Sequence, residues 1–579
     1  MEFSISNSNQ NAVVTLQERP YAGHDNVTLL DVDVTFSEPT VPTDLRIGWR
    51  IPCIDIYSTS CATEMYRRDL TANWCCRKTD SRLASGAPLH QLVSVGGENR
   101  LCIALSDAKT PCRIASGVVE RTSEIDCFVT FFTEPINTIT EYHATVYLDF
   151  SRRRYDLSLK AADLFWQQEC GYPCARIPEG AREPVYSTWY SFHHHINVDE
   201  IVSQCEQAAE YGMKTVIVDD GWQCESVSGG YSYCGDWEVC NTKVPDMKEF
   251  VDRVHKTGLK FVLWYSVPAV GIHSKAYQRF SDMLLNPSAP YGWSALDPRF
   301  PAVREYLTGI YEKAVREWGL DGLKLDFIDS FELGSETPAF DPRWDTLSLE
   351  DAVDRLLDGI TKALHAINPD ILIEFRQSYF GPVIRKYGNM IRVGDCPNDS
   401  IRNHVGGIDL RYMLGSTPVH SDMLMWNYDD TVESAAHQVI CTMFTVPQIS
   451  VKLEKLSQEH RDMLRFYLHF WREHKTTLLD GDLLAENPEA TYSIVRAEKD
   501  GELVAVAFAK PVLNVESCQK LFFLNASGDD FLIVRFTKDL GKKHVRIFDC
   551  MGHVLEEKES LCCGTADFPV PACGMLEIL

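Results

Sequence analysis

Lys324 and Asp326 form a pair whose residue types and spacing suggest a catalytic role. They lie in the apolar segment Gly322–Phe327, which is typical of a buried β-strand. Side chains two positions apart on a strand point to the same side, so the ammonium and the carboxyl can be neighbours. A neighbouring cation favours the ionised carboxylate, the form that a nucleophile requires. The alternative is a buried ion pair with a structural role.

Asp395 is a second candidate carboxyl. It follows Gly394 at the end of another predicted strand, where we expect it to be less paired than Asp326 and to keep a proton. Two carboxyls in contrasting surroundings suit the cleavage of a glycosidic bond, because one attacks carbon and the other protonates the leaving oxygen. The residues therefore indicate Asp326 as nucleophile and Asp395 as acid/base.

Residues suited to holding a neutral sugar lie at the ends of other predicted strands. Asp219 and Asp220 can reach one ligand together only where a strand ends, and each carboxylate accepts several hydrogen bonds from hydroxyls. The alternative for this pair is a helix N-cap followed by a turn. Trp189, Trp222 and Trp264 could stack on sugar faces, although a tryptophan is more often a core residue.

Two groups of residues suggest a metal site but lack the usual spacing. The run His193–His195 does not place its rings on one face of a helix, and Cys170 and Cys174 have no second pair nearby. No glycine-rich phosphate loop convincingly follows any predicted strand. We therefore expect neither a metal nor a cofactor.

The elements that must position these residues alternate between short apolar strands and amphipathic helices. The predicted strands are Val185–Trp189, Thr215–Asp219, Lys260–Tyr265, Gly322–Phe327, Ile371–Phe375, Met390–Val393, Pro418–Asp422 and Val446–Val451. Eight strands alternating with helices predict an α/β fold, a parallel (β/α)8 TIM barrel whose active site lies at the C-terminal ends of the strands. A doubly wound open sheet is the alternative, because periodicity cannot show closure.

Alternating segments on both sides of this region predict two β-domains. We expect an antiparallel, sandwich-like domain over residues 1–170, the barrel over 185–480 and a small β-domain over 490–579. One predicted helix, Leu349–Ile367, has Ser348 where its N-cap belongs. These domains would position the strand ends that contain the candidate residues.

Composition excludes several classes of partner. The 579 residues include 56 basic and 82 acidic ones, a formal charge of −26. We therefore expect no nucleic acid and no membrane as partner, since both need basic or long apolar surfaces. The start Met1–Asn7 does not resemble a signal peptide, and the scattered cysteines suit a reduced, cytoplasmic protein. The sequence leaves open whether the chain forms a homo-oligomer.

Taken in order, the motifs resemble glycoside hydrolase family 36, the α-galactosidase family related to families 27 and 31. They are Trp189-Tyr190, Asp219-Asp220-Gly221-Trp222-Gln223, Gly235-Asp236-Trp237, Leu323-Lys324-Leu325-Asp326-Phe327 and Arg392-Val393-Gly394-Asp395. The resemblance implies a barrel between two β-domains and a cofactor-free, retaining double displacement on α-galactosides. It implies Asp326 as nucleophile and Asp395 as acid/base, with Asp399 as the less favoured alternative.

The resemblance also implies a sugar pocket. Asp219 and Asp220 match the pair that holds the 4- and 6-hydroxyls of the sugar, and Lys324, Arg392 and Trp264 match other walls. One departure affects specificity: Glu374–Tyr379 stands where several members have a cysteine and glycines, near the 2-hydroxyl. Arg376 lies in this segment and is a further candidate contact.

The departure leaves the substrate open. Galactose is expected, with N-acetylgalactosamine or a glucose-type sugar as alternatives. The acceptor is water or, as in the family's raffinose and stachyose synthases, another sugar. A non-catalytic sugar-binding protein is the alternative from a different class, and a nitrophenyl α-galactoside assay separates it from an enzyme.

Overall fold

The structure is a computed structural model that describes residues 1–61, 67–228, 230–509 and 512–579. A parallel eight-stranded sheet lies at its centre. In chain order its strands are Val185–Ser187, Thr215–Val218, Lys260–Ser266, Gly322–Asp326, Leu372–Arg376, Met390–Arg392, Val419–His420 and Gln448–Ile449. Each of the first six pairs in parallel with the next along the chain, and the eighth pairs with the first. A parallel bridge between His420 and Val446 joins the two remaining edges. The predicted TIM barrel is confirmed.

Helices follow most of these strands and bury their apolar faces against the sheet. The longer helices are Tyr155–Gln168, Val198–Glu210, Met247–Lys256, Pro301–Trp318, Leu349–Ile367, Ser400–Met413, Val432–Cys441 and Gln458–Asp480, and two short ones are Trp189–Phe192 and Lys275–Arg279. Local sequence explains several of their starts. Ser348, as predicted, accepts a hydrogen bond from the Asp351 backbone N–H and caps its helix. None of the helices in the described ranges has the length and apolar content that crossing a bilayer requires.

The N-terminal part consists of two antiparallel sheets. One contains, in spatial order, Phe3–Asn7, Leu45–Pro52, Glu124–Phe131, Cys112–Val119 and Arg77–Ser81; the other contains Ala12–Pro20, Val27–Thr40, Ile139–Asp149, Asn99–Leu105, Leu89–Val93 and Ser58–Cys61. Inward-facing residues such as Val32, Ile47 and Val129 are fully buried in one apolar cluster. Alternation of buried and exposed positions along the strands is the pattern of a sandwich-like domain.

The C-terminal part is also built from β-strands. A seven-stranded sheet contains Asp482–Glu486, Ile494–Lys499, Glu502–Ala507, Lys520–Asn525, Met575–Ile578, Lys542–Phe548 and Val554–Leu561, and a three-stranded sheet contains Val512–Val515, Leu532–Phe536 and Gly564–Phe568. Buried residues of both sheets, including Val534 and Leu576, form a separate apolar cluster. The expected flanking β-domains are therefore present, while their boundaries at residues 170, 185, 480 and 490 stay a prediction.

Candidate active site

Asp326 ends the fourth barrel strand, and hydrogen-bond donors surround its carboxylate. Oδ1 accepts from the backbone N–H of Phe327 at 2.8 Å and from Nε of Arg376 at 2.7 Å, while Oδ2 accepts from Nε1 of Trp264 at 3.0 Å. Burial acts to raise the pKa of Asp326, but the charges of Arg376 and Lys324 outweigh it and hold this pKa below its ordinary value. The carboxylate is ionised, as a nucleophile requires.

Lys324 connects two of the predicted carboxylates. Its Nζ lies 2.7 Å from Oδ2 of Asp219 and 3.9 Å from Oδ2 of Asp326, so its closer partner is Asp219. Parallel register places Trp264, Lys324 and Glu374 side by side on adjacent strands. Burial acts to lower the pKa of Lys324, but Asp219 raises it overall, and the ammonium stays charged. Lys324 therefore contributes positive charge to both acids.

Asp220 is buried beside Asp219 and pairs with two side chains that the sequence did not predict as its partners. Its Oδ2 lies 2.8 Å from Nε2 of His194, and its Oδ1 accepts from Nε2 of Gln223 at 2.6 Å. The contact with Asp220 raises the pKa of His194 against the opposing effect of burial. In the part of the chain that the structure describes, no three His, Cys, Asp or Glu side chains are grouped to hold a metal.

Trp264 and Trp222 have different positions, and the prediction for Trp222 needs correction. Trp264 donates to Asp326 and belongs to the site. Trp222 has no exposed surface, donates its indole N–H to the Trp264 backbone oxygen at 2.9 Å and packs against Trp237 and Tyr265. Trp222 is therefore a core residue that supports Trp264 instead of a surface on which a sugar could stack.

Trp189 and Tyr190 do not extend the first barrel strand as predicted. That strand ends at Ser187, and both residues lie in the short helix Trp189–Phe192. The ring of Trp189 is half-buried against the ring of His193, with centroids 4.4 Å apart. Tyr190 donates its hydroxyl to Oδ2 of Asp422 at 2.8 Å. The short helix thus contacts Asp422, which follows the seventh barrel strand.

Arg392, the last residue of the sixth barrel strand, lies close to three carboxylates. Its fully buried guanidinium bonds to Oδ1 of Asp422 and, at 2.8 Å, to Oδ1 of Asp395, with Oε1 of Glu374 at 3.8 Å. Burial acts to lower the pKa of Arg392, and the nearby carboxylates raise it overall. Sequence reasoning missed Asp422 and Glu374 as site residues. The end of the predicted strand Pro418–Asp422 was the available signal for Asp422.

Asp395 was predicted to keep a proton, but its surroundings in the structure favour the ionised carboxylate. Its side chain is 54% exposed, yet it is paired with Arg392. Burial acts to raise the pKa of Asp395, but Arg392 and Lys324 lower it overall, so the expectation that it keeps a proton is wrong for this arrangement. The physical reason is that Arg392, three residues earlier on the strand, turns back to the carboxylate. Asp399 instead caps the helix Ser400–Met413, accepting from the Arg402 backbone N–H at 2.9 Å.

Comparison with known proteins agrees with this geometry. Residues 177–339 match the family model described as Melibiase. The family-model match spans less than a third of the chain. Over 160 residues the chain is 27% identical to α-galactosidase Mel36A of Lactobacillus acidophilus, a match that spans 27% of this chain and 21% of that protein. The expected resemblance to glycoside hydrolase family 36 is thereby confirmed.

Other relatives align over similarly short segments. α-Galactosidase AgaA of Geobacillus stearothermophilus is 32% identical over 122 residues, 20% of this chain and 17% of that protein. The A type blood α-D-galactosamine galactosaminidase of Flavonifractor plautii is 24% identical over 173 residues, 26% of this chain and 15% of that protein. These alignments cover about a fifth of the relatives' length or less.

Similarity to solved structures extends over nearly the whole chain. The crystal structure of the glycoside hydrolase family 36 α-galactosidase AgaA from Geobacillus stearothermophilus superimposes with a TM-score of 0.68 at 16% identity, covering 98% of this chain and 81% of that one. The galactosidase domain of AgaSK gives a TM-score of 0.67 at 14% identity, covering 99% and 81%. At these identities the similarity concerns the fold.

Proposed function

We propose that this chain is a retaining exo-α-galactosidase with Asp326 as nucleophile and Asp395 as acid/base. The observation that carries the proposal is the carboxylate of Asp326, which is ionised and surrounded by donors at the C-terminal end of the fourth barrel strand. Asp395 follows the sixth strand of the same barrel, two strands away. Barrel enzymes carry their chemistry at these strand ends. The α-galactosidases among the relatives support galactose as the sugar.

The proposed reaction has two steps. Asp326 attacks the anomeric carbon, and the bond to the glycosidic oxygen breaks as Asp395 protonates that oxygen. Asp395 then takes a proton from water, which attacks the same carbon and releases Asp326. Because Asp395 is paired with Arg392 in this structure, we infer that the bound substrate displaces part of that contact and raises the pKa of Asp395.

Sugar binding is assigned to the acidic side of the barrel. We propose that Asp219 and Asp220 accept hydrogen bonds from the 4- and 6-hydroxyls, with Lys324, Trp264 and Arg392 as further walls. The carboxylates of Asp219 and Asp220 already accept from Lys324 and Gln223, contacts that fix their orientation. Each oxygen has a second lone pair with which it can bind a hydroxyl.

The proposal also covers the substrate and the cellular location of the chain. N-acetylgalactosamine is an alternative sugar, and the α-D-galactosamine galactosaminidase among the relatives supports an amino sugar of this type. Transfer to a sugar acceptor is the alternative to hydrolysis. We propose a small soluble carbohydrate as the substrate and the cytoplasm as the location. The cysteines whose side chains the structure describes are free thiols, which suits a reducing compartment.

A panel of nitrophenyl glycosides tests the proposal. The wild-type chain should release nitrophenol from the α-galactoside faster than from the α-N-acetylgalactosaminide, the α-glucoside and the β-galactoside. NMR of the first product should show the α-anomer, because two displacements retain configuration. A β-anomer would refute the retaining mechanism. Binding of galactose without release of nitrophenol from any member would identify a sugar-binding protein instead.

A further inference from the structure

Arg376, the last residue of the fifth barrel strand, makes direct contact with Asp326. Its Nε donates to Oδ1 of Asp326 at 2.7 Å, and its Nη1 donates to the backbone oxygen of Gln377 at 2.7 Å. The side chain is only 15% exposed. A planar guanidinium held at two points has a fixed orientation, so this contact sets the orientation of the carboxylate.

The two oxygens of Asp326 have unequal surroundings. Oδ1 accepts from Arg376, from the Phe327 backbone N–H at 2.8 Å and from the Tyr379 hydroxyl at 3.1 Å. Oδ2 accepts from Trp264 at 3.0 Å, and Nζ of Lys324 lies 3.9 Å away. Because an oxygen has about two lone-pair sites, three donors saturate Oδ1, whereas Oδ2 keeps capacity for a new bond.

We propose that Arg376 is a positioning residue, an inference that rests on the proposed function. By binding Oδ1 of Asp326, Arg376 keeps this oxygen as the carbonyl oxygen of the glycosyl ester and leaves Oδ2 to attack the anomeric carbon. An Oδ2 electron pair forms the bond to carbon, and the electron pair of the broken bond leaves with the glycosidic oxygen, which takes the proton of Asp395. Asp326 becomes a neutral ester. In the second step water attacks the same carbon, Asp395 takes its proton, and the bonding electrons return to Oδ2.

This arrangement makes the second step the more sensitive one. A guanidinium bonds more strongly to a carboxylate than to a neutral ester carbonyl. Arg376 therefore stabilises the negative charge that develops on Asp326 as the ester breaks. An interaction that is stronger in the transition state than in the state before it accelerates that step. Loss of Arg376 should slow release of the glycosyl group more than its formation.

Kinetics of Arg376→Gln, Arg376→Lys and a matched control test the inference. On nitrophenyl α-galactoside, Arg376→Gln should release nitrophenol in a burst, followed by a steady rate about 10²–10³-fold below wild type, the usual loss for one charge-stabilising donor. KM should fall with kcat, because glycosyl-enzyme accumulates. Arg376→Lys should recover part of the rate. Arg343→Gln, an exposed arginine paired with Asp341, is the control and should match wild type.

The pH profile distinguishes positioning from a merely structural role. Without Arg376, the burial of Asp326 is less compensated, so the acidic limb of kcat/KM should move to higher pH in Arg376→Gln and less in Arg376→Lys. Infrared titration of the carboxylate, with Asp326→Asn as the reference, should show the same shift without any turnover. An active wild type with an unchanged burst, KM and acidic limb in Arg376→Gln overturns this inference alone. A wild type that is inactive on every α-glycoside overturns it together with the proposed function.

Discussion

The two proposed catalytic carboxylates lie in the same barrel but differ in how strongly the protein holds them. Asp326 is buried and accepts four hydrogen bonds, from Phe327, Arg376, Tyr379 and Trp264. Asp395 is half-exposed, and its hydrogen-bond partner in the structure is Arg392. A nucleophilic carboxylate must stay ionised and in a fixed orientation, whereas an acid/base carboxyl must gain and lose a proton in each turnover. The contrast matches these two tasks.

The difference extends to the residues behind each carboxylate. On the Asp326 side, residues of the N-terminal domain bond to the barrel loops: Arg82 donates to the backbone oxygen of Asp329 at 3.1 Å, and the Gly86 backbone N–H donates to that of Ser378 at 2.8 Å. Ser378 in turn donates to Asp329 at 2.9 Å. The loops next to Arg376 therefore depend on the N-terminal domain for their position. We expect perturbations on this side to alter geometry and those at Asp395 to alter proton transfer.

Removal of Asp326 should have the largest effect. Asp326→Ala should lose turnover of every substrate to background, since no other group can form the bond to carbon. Added azide should restore part of the activity on nitrophenyl α-galactoside by occupying the vacated space, and NMR should identify a β-galactosyl azide. Asp326→Asn, which keeps the shape of the side chain, serves as the control for folding by circular dichroism. Near-normal activity of Asp326→Ala would show that Lys324 and Asp326 are only a structural pair.

Removal of Asp395 should have a smaller effect that depends on the leaving group. Nitrophenolate needs little protonation, whereas a sugar alkoxide needs a great deal, so Asp395→Ala should lose about 10²–10⁴-fold on melibiose and much less in the first step on nitrophenyl α-galactoside. The alkaline limb of kcat/KM should flatten, since it reports loss of the acid's proton.

The second step supplies the check on this assignment. Asp395 must then activate water, so glycosyl-enzyme should accumulate in Asp395→Ala and appear as a burst of nitrophenol. Equal losses on both substrates without a burst would exclude Asp395 as acid/base. Asp399→Ala is the matched control: because Asp399 caps a helix, this variant should lose stability and keep the leaving-group dependence of wild type.

Much of the fold could be predicted because its signals are local. Apolar runs bounded by polar residues identified all eight barrel strands to within a few residues, and the helix Leu349–Ile367 with its cap Ser348 matches the structure. Strand periodicity alone does not predict closure of the barrel, which rested on the strand count and the resemblance. Closure depends on pairing between distant residues, such as His420 with Val446 and Val185 with Gln448, which periodicity does not encode.

The candidate site could be predicted only where its residues follow strand ends. Asp219, Lys324 and Asp326 are brought together by the register of parallel strands, which the order of motifs indicates. The contact of Tyr379 with Asp326 joins residues 53 positions apart, and no spacing rule predicts it. The prediction that Trp222 stacks on a sugar failed because the sequence does not show whether a tryptophan side chain lies in the core or at the site.

The smallest expected effect concerns Glu350, which attaches the Asp326 side of the barrel to the N-terminal domain. This buried carboxylate accepts from the Ala84 backbone N–H at 2.8 Å, and Nη1 of Arg82 lies 3.7 Å away. Burial raises the pKa of Glu350 to about 7 from its ordinary 4.5, and Arg82 only partly opposes it. The folded chain therefore holds a proton that the unfolded chain releases between these values. The free energy of unfolding must fall as pH rises through this window.

The size of this loss can be tested by removing the charge. The rise of the Glu350 pKa from 4.5 to about 7 corresponds to a loss of at most about 3–4 kcal/mol, at about 1.4 kcal/mol per pH unit. Glu350→Gln retains an acceptor for Ala84 and has no charge, so its melting temperature should fall less than that of wild type between pH 5 and pH 8. Glu332→Gln, which removes an exposed carboxylate 3.7 Å from Arg82, should behave like wild type. If Glu350→Gln and wild type lose stability in parallel over this range, Glu350 is already ionised in the fold, and the N-terminal contact to the Asp326 side does not depend on its protonation.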